Sequence, residues 1–361
     1  MSLLTTGLDF RPLIMPTSID TPDAADFIEM IRVRNLVYAE IAGNDDEAIT
    51  PAGLLPHYQP DPDQTRLMWL VVRDGEVVGR VGVDVPHEAD SKNAFWLIEL
   101  LRAHQGAGIG SQAYELVERT ALEHGRTVLQ SWAEHPDTPG ERLTAPTGFG
   151  EIPRDRAARF YQRHGYALEQ IERKSVLDLA TSAEDIARLG AAAADAATGY
   201  RVLQWQLPTP PEYRDGYAWV KSRMSTDVPA ADLEFDEETW DAARIERHDR
   251  RYIDGGHTVL VTAAQHVDSG ELVAFNELVI GADLTEATHQ EDTLVLKEHR
   301  GHRLGMLVKC AGLQTWRARI APASPRVITY NAEENRPMLD INEAIGFTPA
   351  SYSAGWKKVL T

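Results

Sequence analysis

The chain has 361 residues, of which 43% are hydrophobic and 25% are charged, and this balance is typical of a soluble globular protein and excludes a disordered or collagen-like chain. Asp and Glu number 55 against 36 Lys and Arg, and the resulting net charge of −19 repels phosphate backbones, so no nucleic-acid partner is expected. A single cysteine, Cys310, no standard export signal and no apolar stretch of about 20 residues predict a cytoplasmic protein with no membrane partner.

Helices and strands alternate in the first half of the chain around one glycine-rich turn. Thr21-Pro22-Asp23 is typical of a helix start and predicts a helix to about residue 42. Asp74-Gly75 separates two strand-like runs and predicts a hairpin. The predicted elements of this half are a helix at 21–42, strands at 67–73, 76–85 and 94–101, the turn Gln105-Gly-Ala-Gly-Ile-Gly110, a helix to about 125, a strand at 127–132, a helix at 153–164 and a strand at 166–179.

The same order of elements recurs in the second half, at a period of about 180 residues that indicates a duplicated domain. An alanine-rich stretch joins the halves. We therefore predict an N-terminal domain at 1–180, a linking helix at 181–199 and a C-terminal domain at 200–361. The predicted elements are a strand at 202–206, helices at 211–224 and 236–253, a hairpin of 257–264 with 271–280, a strand at 292–297, the turn Arg300-Gly-His-Arg-Leu-Gly305, a helix to about 319, a strand at 326–330 and a helix at 335–344.

A strand that leads into a glycine-rich turn and then a helix is a common phosphate-binding arrangement. Backbone N–H groups of the first helical turn converge on the anion, and the helix dipole adds positive potential. The segment from Gln105 to Gly110 has this context, but it has neither the lysine of a Walker A loop nor G-x-G-x-x-G spacing. On these residues alone, the turn either binds phosphate or only tightens the packing of strand against helix.

Two motifs carry a resemblance to a known family. Gln105-Gly-Ala-Gly-Ile-Gly110 matches the (Gln/Arg)-x-x-Gly-x-(Gly/Ala) pyrophosphate signature of the GCN5-related N-acetyltransferases (GNAT), and Phe160-Tyr-Gln-Arg-His-Gly-Tyr166 resembles their Phe-Tyr-x-x-x-Gly-(Phe/Tyr) string. Similar residues recur from Thr293 to Gly305 and from Asn335 to Phe347. Together the halves resemble the tandem acetyltransferases common in actinobacteria, with mycothiol synthase as an architectural relative.

This resemblance implies a fold of two tandem GNAT-like domains, each a splayed mixed α/β sheet flanked by helices. It also implies acetyl-CoA as the cofactor, with its pyrophosphate on the turn, its thioester beside the preceding strand and direct transfer of the acetyl group to an amine. The residues expected to bind the cofactor are Leu100, Arg102, Gln105, Gly106, Ala107, Gly108, Ile109, Gly110, Ser111, Val295, Lys297, Arg300, Gly301, His302, Arg303, Leu304, Gly305, Asn331 and Asn335.

Three residues are candidates for catalysis. Tyr161 lies where many family members carry the tyrosine that protonates the departing thiolate, and a neutral phenol suits that role; the alternative is a core aromatic residue. Glu99 and Glu277 are candidate bases on strands beside the cleft, although each could be a solvent-facing strand residue. In the second half Asn342 replaces the tyrosine and Arg303 replaces the first signature glycine.

The resemblance and the acidic charge predict an N-acetyltransferase for a small, cationic amine. The alternatives are a CoA-binding or regulatory module without catalysis, or a protein in which only one half is active. No histidine set has metal-ligand spacing, and no metal is expected. Loops 43–66 and 134–152 are expected to shape the first pocket, and 226–236 and 281–291 the second. The chain is expected to be a monomer with pseudo-dimeric halves or a homodimer.

Overall fold

A computed structural model describes residues 7–360, which form two compact units. Unit 1 comprises the described residues up to 171, together with 231–236 and 352 onward, and unit 2 comprises 172–230 and 237–351. Each unit thus takes segments from both halves of the chain. No single cut near residue 180 separates the units, because the final strand of each half passes from one unit into the other.

In unit 1, a mixed sheet carries the candidate site of the first half. Its order is β1-β2-β3-β4-β5-β14, antiparallel except for β4 with β5, and β6 pairs separately with β7. The elements are β1 (Leu8–Pro12), α1 (Ala25–Ala42), α2 (Pro51–Tyr58), β2 (Gln64–Arg73), β3 (Glu76–Pro86), β4 (Asn93–Leu100), α3 (Ile109–Glu123), β5 (Val128–His135), β6 (Arg142–Thr144), β7 (Glu151–Pro153), α4 (Arg156–Arg163) and β8 (Ala167–Asp178), of which β8 continues into unit 2.

In unit 2, the sheet has a matching plan. Its order is β8-β13-β12-β11-β10-β9, antiparallel except for β12 with β13. The elements are α5 (Ala183–Ala196), β9 (Tyr200–Gln206), α6 (Arg214–Ser222), α7 (Met224–Asp227), α8 (Ala242–Asp254), β10 (Thr258–His266), β11 (Leu272–Ile280), β12 (Thr288–Val295), α9 (Leu304–Thr315), β13 (Arg326–Ala332), α10 (Arg336–Ile345) and β14 (Thr348–Val359), which ends in unit 1. The predicted linking helix is α5.

Apolar helix faces cover both sides of the unit 1 sheet. Phe27, Met30 and Ile31 of α1 pack with strand residues on one side, and Ile109 and Val117 of α3 pack with strand residues on the other. Unit 2 has its own core, which includes Cys310 with no exposed surface. The predicted fold class, a mixed α/β sheet flanked by helices in each half, is confirmed. None of the described helices is both long and apolar enough to cross a membrane.

Several elements of the structure are absent from the sequence prediction, among them the short strands β6 and β7 in or next to the predicted loop 134–152. β1 precedes the first predicted helix, α2 lies within the predicted loop 43–66, and β14 follows the last predicted helix. α2 contains Gly53 and Pro56, which disfavour helix, but the Thr50 hydroxyl caps its first turn by accepting from the Gly53 N–H at 3.0 Å. Tertiary contacts therefore outweigh weak local propensity in these segments.

Candidate functional site

The sheet of unit 1 opens between β4 and β5. These parallel strands pair only where Asn93–Phe95 face Val128–Gln130, and among the described residues no pairing joins them beyond that point. Trp96 of β4 and Ser131 of β5 are the first residues past the paired segment. The splay that the family resemblance implied is present, and the part of the sheet between the unpaired ends of β4 and β5 is the opening of unit 1.

At the end of β4 lies the glycine-rich turn. The Gln105 side chain donates from Nε2 to the Leu100 carbonyl at 3.0 Å, which ties the turn to the strand. Gly106 and Gly108 have φ of +81° and +83°, a left-handed conformation that favours glycine. Helix α3 begins after Gly108 without a side-chain cap, so the first N–H groups of the helix are available to a ligand.

Arg156 of α4 lies beside this turn, and the sequence did not predict it as a site residue. A Cβ placed on Gly106 would lie 3.2 Å from Nη1 of Arg156, so this guanidinium of α4 sits directly beside the turn. A guanidinium favours phosphate as a partner. No sequence signal identifies it, because only the packing of α4 beside α3 brings Arg156 to Gly106. That packing also needs Gly110, where an added Cβ would lie 3.3 Å from the Phe160 ring.

Tyr161 of α4 places its hydroxyl where β4 and β5 cease to pair. Its hydroxyl is 2.8 Å from Ser131 Oγ, and its ring stacks on Trp356 with centroids 4.9 Å apart and planes 3° apart. Tyr161 is 5% exposed. Burial raises the pKa of this phenol well above its usual value, and the Glu99 carboxylate adds to the increase, so the hydroxyl keeps its proton at neutral pH.

Glu99 lies on the other face of β4 and is held in an ion pair. Alternation places Phe95, Leu97 and Glu99 on one face of the strand, opposite Trp96; we call this the acceptor face. The Glu99 oxygens accept from Arg80 Nε and Nη2 at 2.6 and 2.8 Å, and Arg80 also donates to the Tyr58 hydroxyl at 3.0 Å. The alternative of a solvent-facing residue does not hold, because the Glu99 side chain is only 14% exposed, and the role of Glu99 as a base stays a prediction.

An aromatic cluster borders the acceptor face where β4 and β5 begin to separate. Ring centroids of Phe95, Trp132 and Phe235 lie 6.0 to 6.2 Å from one another. Phe235 belongs to the segment 231–236 of unit 1, so the assignment of all of loop 226–236 to the second pocket is wrong. The segment is anchored because Asp236 Oδ2 accepts from Ser91 Oγ at 2.6 Å and from Asn93 Nδ2 at 3.0 Å.

Other residues predicted for the first turn have varied surroundings. The Arg102 N–H donates to Glu40 Oε2 at 2.7 Å, and its guanidinium donates to the Glu40 carbonyl. Ser111 Oγ lies 3.4 Å from His164 Nε2. Ala107 is exposed on the turn and Ile109 is buried below it. The turn backbone, rather than these side chains, is therefore the surface that a phosphate would meet.

The turn of unit 2 has the same attachment with different side chains. Arg300 donates from Nε to the Val295 carbonyl at 3.2 Å, as Gln105 does to Leu100. Arg303, with φ of +57°, takes the left-handed position that Gly108 holds in unit 1, and α9 begins after it without a side-chain cap.

The other residues predicted for the turn of unit 2 differ in exposure. Leu304 and Gly305 are buried in α9, whereas Gly301 and His302 are exposed. Lys297 pairs with Asp227, its Nζ 3.3 Å from Oδ1.

Polar side chains bridge the opening of unit 2. β12 and β13 pair at Thr288 with Val327 and at His289 with Ile328, and at the next position Gln290 Nε2 donates to Thr329 Oγ1 at 3.2 Å. Asn342 faces this opening from α10. Its Oδ1 accepts from Lys309 Nζ at 2.8 Å, and its Nδ2 donates to Asn331 Oδ1 at 2.7 Å. An amide engaged in this way offers no proton comparable to the Tyr161 hydroxyl.

Two other residues predicted for the site of unit 2, Asn335 and Glu277, differ in their hydrogen bonding. Asn335 precedes α10, where its side chain makes no capping hydrogen bond to that helix. Glu277 of β11 is 3% exposed and accepts from Lys221 Nζ and from the Tyr217 hydroxyl. The alternative of a solvent-facing residue does not hold for Glu277 either, because all of β11 is buried, and a charge buried in this way needs a partner.

Lys309 predicts a measurable effect on stability. It has no exposed surface, and burial lowers the pKa of its ammonium to about 7. The unfolded lysine binds a proton below about pH 10.5, so this group costs on the order of 5 kcal/mol at pH 7 and nothing above pH 10.5. We expect Lys309→Met to raise the free energy of unfolding at pH 7 by about 2–4 kcal/mol, because the variant removes this cost; the gain is smaller than the cost because Asn342 Oδ1 loses its donor.

Denaturant unfolding of wild type and Lys309→Met between pH 7 and pH 10 would measure this effect. The difference in unfolding free energy should shrink as the pH rises, because wild type then loses its penalty. A difference that stays constant across this range would contradict a depressed lysine pKa.

Comparisons with known proteins agree with this geometry. Residues 36–149 match the acetyltransferase (GNAT) family. A tandem GNAT protein from the clavulanic acid biosynthesis pathway matches over 98% of this chain and 98% of its own, with a TM-score of 0.73 and 22% identity. The chain has a tandem GNAT fold. A GCN5-related N-acetyltransferase from Sphaerobacter thermophilus matches over 99% of this chain and 96% of its own, with a TM-score of 0.62 and 14% identity.

A third structural match is part of a longer protein. It is the GCN5-related glucosamine N-acetyltransferase region of a fungal multi-domain GH3 β-N-acetylglucosaminidase, with a TM-score of 0.57 and 14% identity over 97% of this chain and 38% of that one. No curated protein matches the chain. The predicted resemblance to tandem GNAT proteins is confirmed, and the finer likeness to mycothiol synthase and to an actinobacterial type stays a prediction.

Arg156 provides a direct test of the turn of unit 1. We expect Arg156→Ala to weaken acetyl-CoA binding to unit 1 by about 5- to 30-fold, because a guanidinium beside the turn adds a charge-assisted hydrogen bond to phosphate. Calorimetric titration would measure the dissociation constant. Arg159→Ala is the matched control, since Arg159 is exposed on the same helix and donates to the Arg154 carbonyl at 2.6 Å. Equal effects of the two variants would contradict a specific role of Arg156.

Proposed function

We propose that this protein transfers an acetyl group from acetyl-CoA to the amine of a small, cationic molecule, and that unit 1 carries the reaction. The observation that supports unit 1 most strongly is the neutral Tyr161 hydroxyl, 2.8 Å from Ser131 Oγ, at the opening between β4 and β5. The glycine turn follows the end of β4, and Arg156 of α4 lies beside it. The proposed proton donor and the proposed phosphate site thus both lie beside β4, because the Tyr161 ring also contacts Trp96 of this strand.

The residues of the turn fit the pyrophosphate of acetyl-CoA. A Cβ on Gly108 would meet no atom within 4 Å, so the space above the start of α3 is open, and the nearest atoms to a Cβ on Gly106 are those of the Arg156 guanidinium. Backbone N–H groups, a helix N-terminus and a guanidinium all favour phosphate oxygens. We therefore propose Gln105, Gly106, Gly108 and Arg156 as the residues that form the pyrophosphate site.

The proposed chemistry needs one proton donor and one acceptor site. When bound, acetyl-CoA supplies a thioester that an amine can attack, and the sulfur leaves as a thiolate that needs a proton. Tyr161 holds a proton on its hydroxyl oxygen at neutral pH because its pKa is raised by burial. Ser131 fixes the direction of that hydroxyl. We propose Tyr161 as the proton donor.

We propose that the amine approaches along the acceptor face of β4. Phe95, Trp132 and Phe235 provide ring faces that attract a cation, and the net charge of −19 favours its arrival. Glu99 is the proposed base on this face. Both of its oxygens accept from Arg80, and each keeps a second lone pair that can take the proton of the amine.

For unit 2 we propose cofactor binding without acetyl transfer. Arg303 adds a positive charge to the turn, which favours phosphate, whereas Asn342 replaces the tyrosine and is engaged by Lys309 and Asn331. Glu277, the predicted base of this unit, is bound by Lys221. The single cysteine supports the further proposal of a cytoplasmic location.

The function is tested by thiol release. Purified full-length protein is incubated with acetyl-CoA and a panel of amino sugars, polyamines and amino-acid derivatives, and free CoA is measured with a thiol reagent. We expect release that depends on at least one amine, together with a product heavier by one acetyl group. Binding of acetyl-CoA without release across the whole panel would favour the non-catalytic CoA-binding module.

A further inference from the structure

We propose that unit 2 contains an ammonium-binding cage on the face of β11 and β12 that corresponds to the acceptor face, and that the protein's own Lys221 fills it. The cage admits a primary alkylammonium group. It combines the ring faces of three aromatic side chains with two carboxylates, a combination of groups that recognises cations in general. Its members are Tyr217, Trp240, Phe275, Glu277 and Asp292.

The geometry around the Lys221 ammonium is that of a complete cation site. Nζ lies 2.9 Å from Asp292 Oδ2, and 3.1 and 3.2 Å from the two oxygens of Glu277. The centroids of the Trp240, Phe275 and Tyr217 rings lie 5.1, 5.5 and 5.7 Å from the same nitrogen. The Lys221 side chain is 5% exposed. The ammonium is therefore enclosed by acceptors and ring faces.

Comparison of the two units places the cage beside the opening of the sheet. Leu100 and Val295 are equivalent, because each carbonyl accepts from the side chain that begins its turn. Asp292 precedes Val295 by three residues, as Leu97 precedes Leu100. In unit 1 the strand partner of Leu97 is Gly82, which has no side chain to pair with a charge. The cage therefore takes the place of an uncharged part of the acceptor face of unit 1.

The charges of the cage keep Lys221 protonated. Burial alone would lower the pKa of this lysine, but Asp292 and Glu277 outweigh burial and raise it. A protonated amine has no lone pair with which to attack a thioester. Unit 2 therefore holds an ammonium without acetylating it, and an external amine would have to displace Lys221. The correspondence between the cage and the face where an amine would bind rests on the proposed function, whereas the cation site itself does not.

The test removes the internal occupant and supplies an external one. Lys221→Ala leaves the buried Glu277 carboxylate and the partly exposed Asp292 carboxylate without their cation, together with a space the length of an alkyl chain. We therefore expect a lower Tm than wild type, and a rise of about 2–4 °C with n-butylammonium in roughly tenfold excess over its dissociation constant. Lys221→Met is the matched control, since it fills the space without a charge and should not respond. n-Butanol, which fills the space without a charge, should not stabilise Lys221→Ala either.

Two results would overturn the cage. One is an equal effect of n-butylammonium on Lys221→Ala and Lys221→Met, and the other is an equal effect of n-butanol and n-butylammonium on Lys221→Ala. If Lys221→Ala does not fold alone, the yield of its refolding in n-butylammonium replaces Tm, and a yield no higher than in n-butanol rejects the proposal. None of these measurements contains acetyl-CoA, so their outcome is separate from that of the proposed acetyl transfer.

Discussion

Tyr161→Phe is expected to lower kcat for acetyl transfer by about 10²- to 10⁴-fold with little change in acetyl-CoA affinity, because a general acid contributes about this much to a rate. The variant removes one hydroxyl and keeps the ring, which stacks on Trp356 and contacts Trp96. Steady-state kinetics with the amine found in the thiol-release assay would measure kcat, and calorimetry would measure binding.

Tyr166→Phe is the matched control for this prediction. Tyr166 belongs to the same aromatic cluster, with its ring centroid 5.5 Å from that of Tyr161 and 5.5 Å from that of Trp96, and it is equally buried. Its hydroxyl does not bond to Ser131 at the opening of the sheet. We expect its kcat to stay within a few-fold of wild type. If Tyr161→Phe keeps the full kcat of wild type, Tyr161 is not the proton donor of unit 1.

Gly108→Trp is expected to abolish acetyl-CoA binding by unit 1. The indole would occupy the open space above the start of α3, where the pyrophosphate is proposed to lie, and the left-handed φ of +83° adds backbone strain for any residue with a Cβ. Calorimetric titration of the full chain with acetyl-CoA is expected to lose the unit 1 site and keep any unit 2 site.

The control for Gly108→Trp must reproduce the strain without the blockage. Gly125, just beyond the other end of α3, has φ of +69°, and a Cβ there would also meet nothing within 4 Å. Gly125→Trp should therefore cost similar stability and leave binding unchanged. Loss of binding in both variants would show that strain, rather than blockage, explains the result. Unit 2 has no equivalent glycine for this test, because Arg303 holds the position of Gly108 there.

Local sequence patterns were sufficient for most of the fold and for the turns. Asp74-Gly75, the alternating strands and the amphipathic helices depend on neighbouring residues, so the predicted order of elements in each half holds in the structure. Elements with weak local signals were missed. α2 contains two prolines and a glycine, and β14 contains small and polar residues, so both form because tertiary contacts stabilise them.

Side-chain partners from distant positions decided the surroundings of the candidate site. The spacing of the motif was enough to single out Tyr161, but Ser131 lies 30 residues away and Trp356 lies at the far end of the chain. Glu99 and Glu277 stood out as polar residues in apolar strands, and only the folded chain shows that Arg80 and Lys221 bind them. The burial of Lys221 and Lys309 is only weakly indicated by the sequence, because each is a single charged residue within a partly apolar helix.

The amino-acid sequence by itself determined the duplicated order of elements, the two turns that join a strand to a helix, and the tyrosine that distinguishes the halves. Each of these depends on residues a few positions apart. The tertiary structure decided which carboxylates are paired, that Arg156 lies beside the first turn, that segment 231–236 joins unit 1, and that Lys221 and Lys309 are buried. The physical reason is that ion pairing, burial and pKa depend on distances between atoms, and folding brings together residues that lie far apart in the chain.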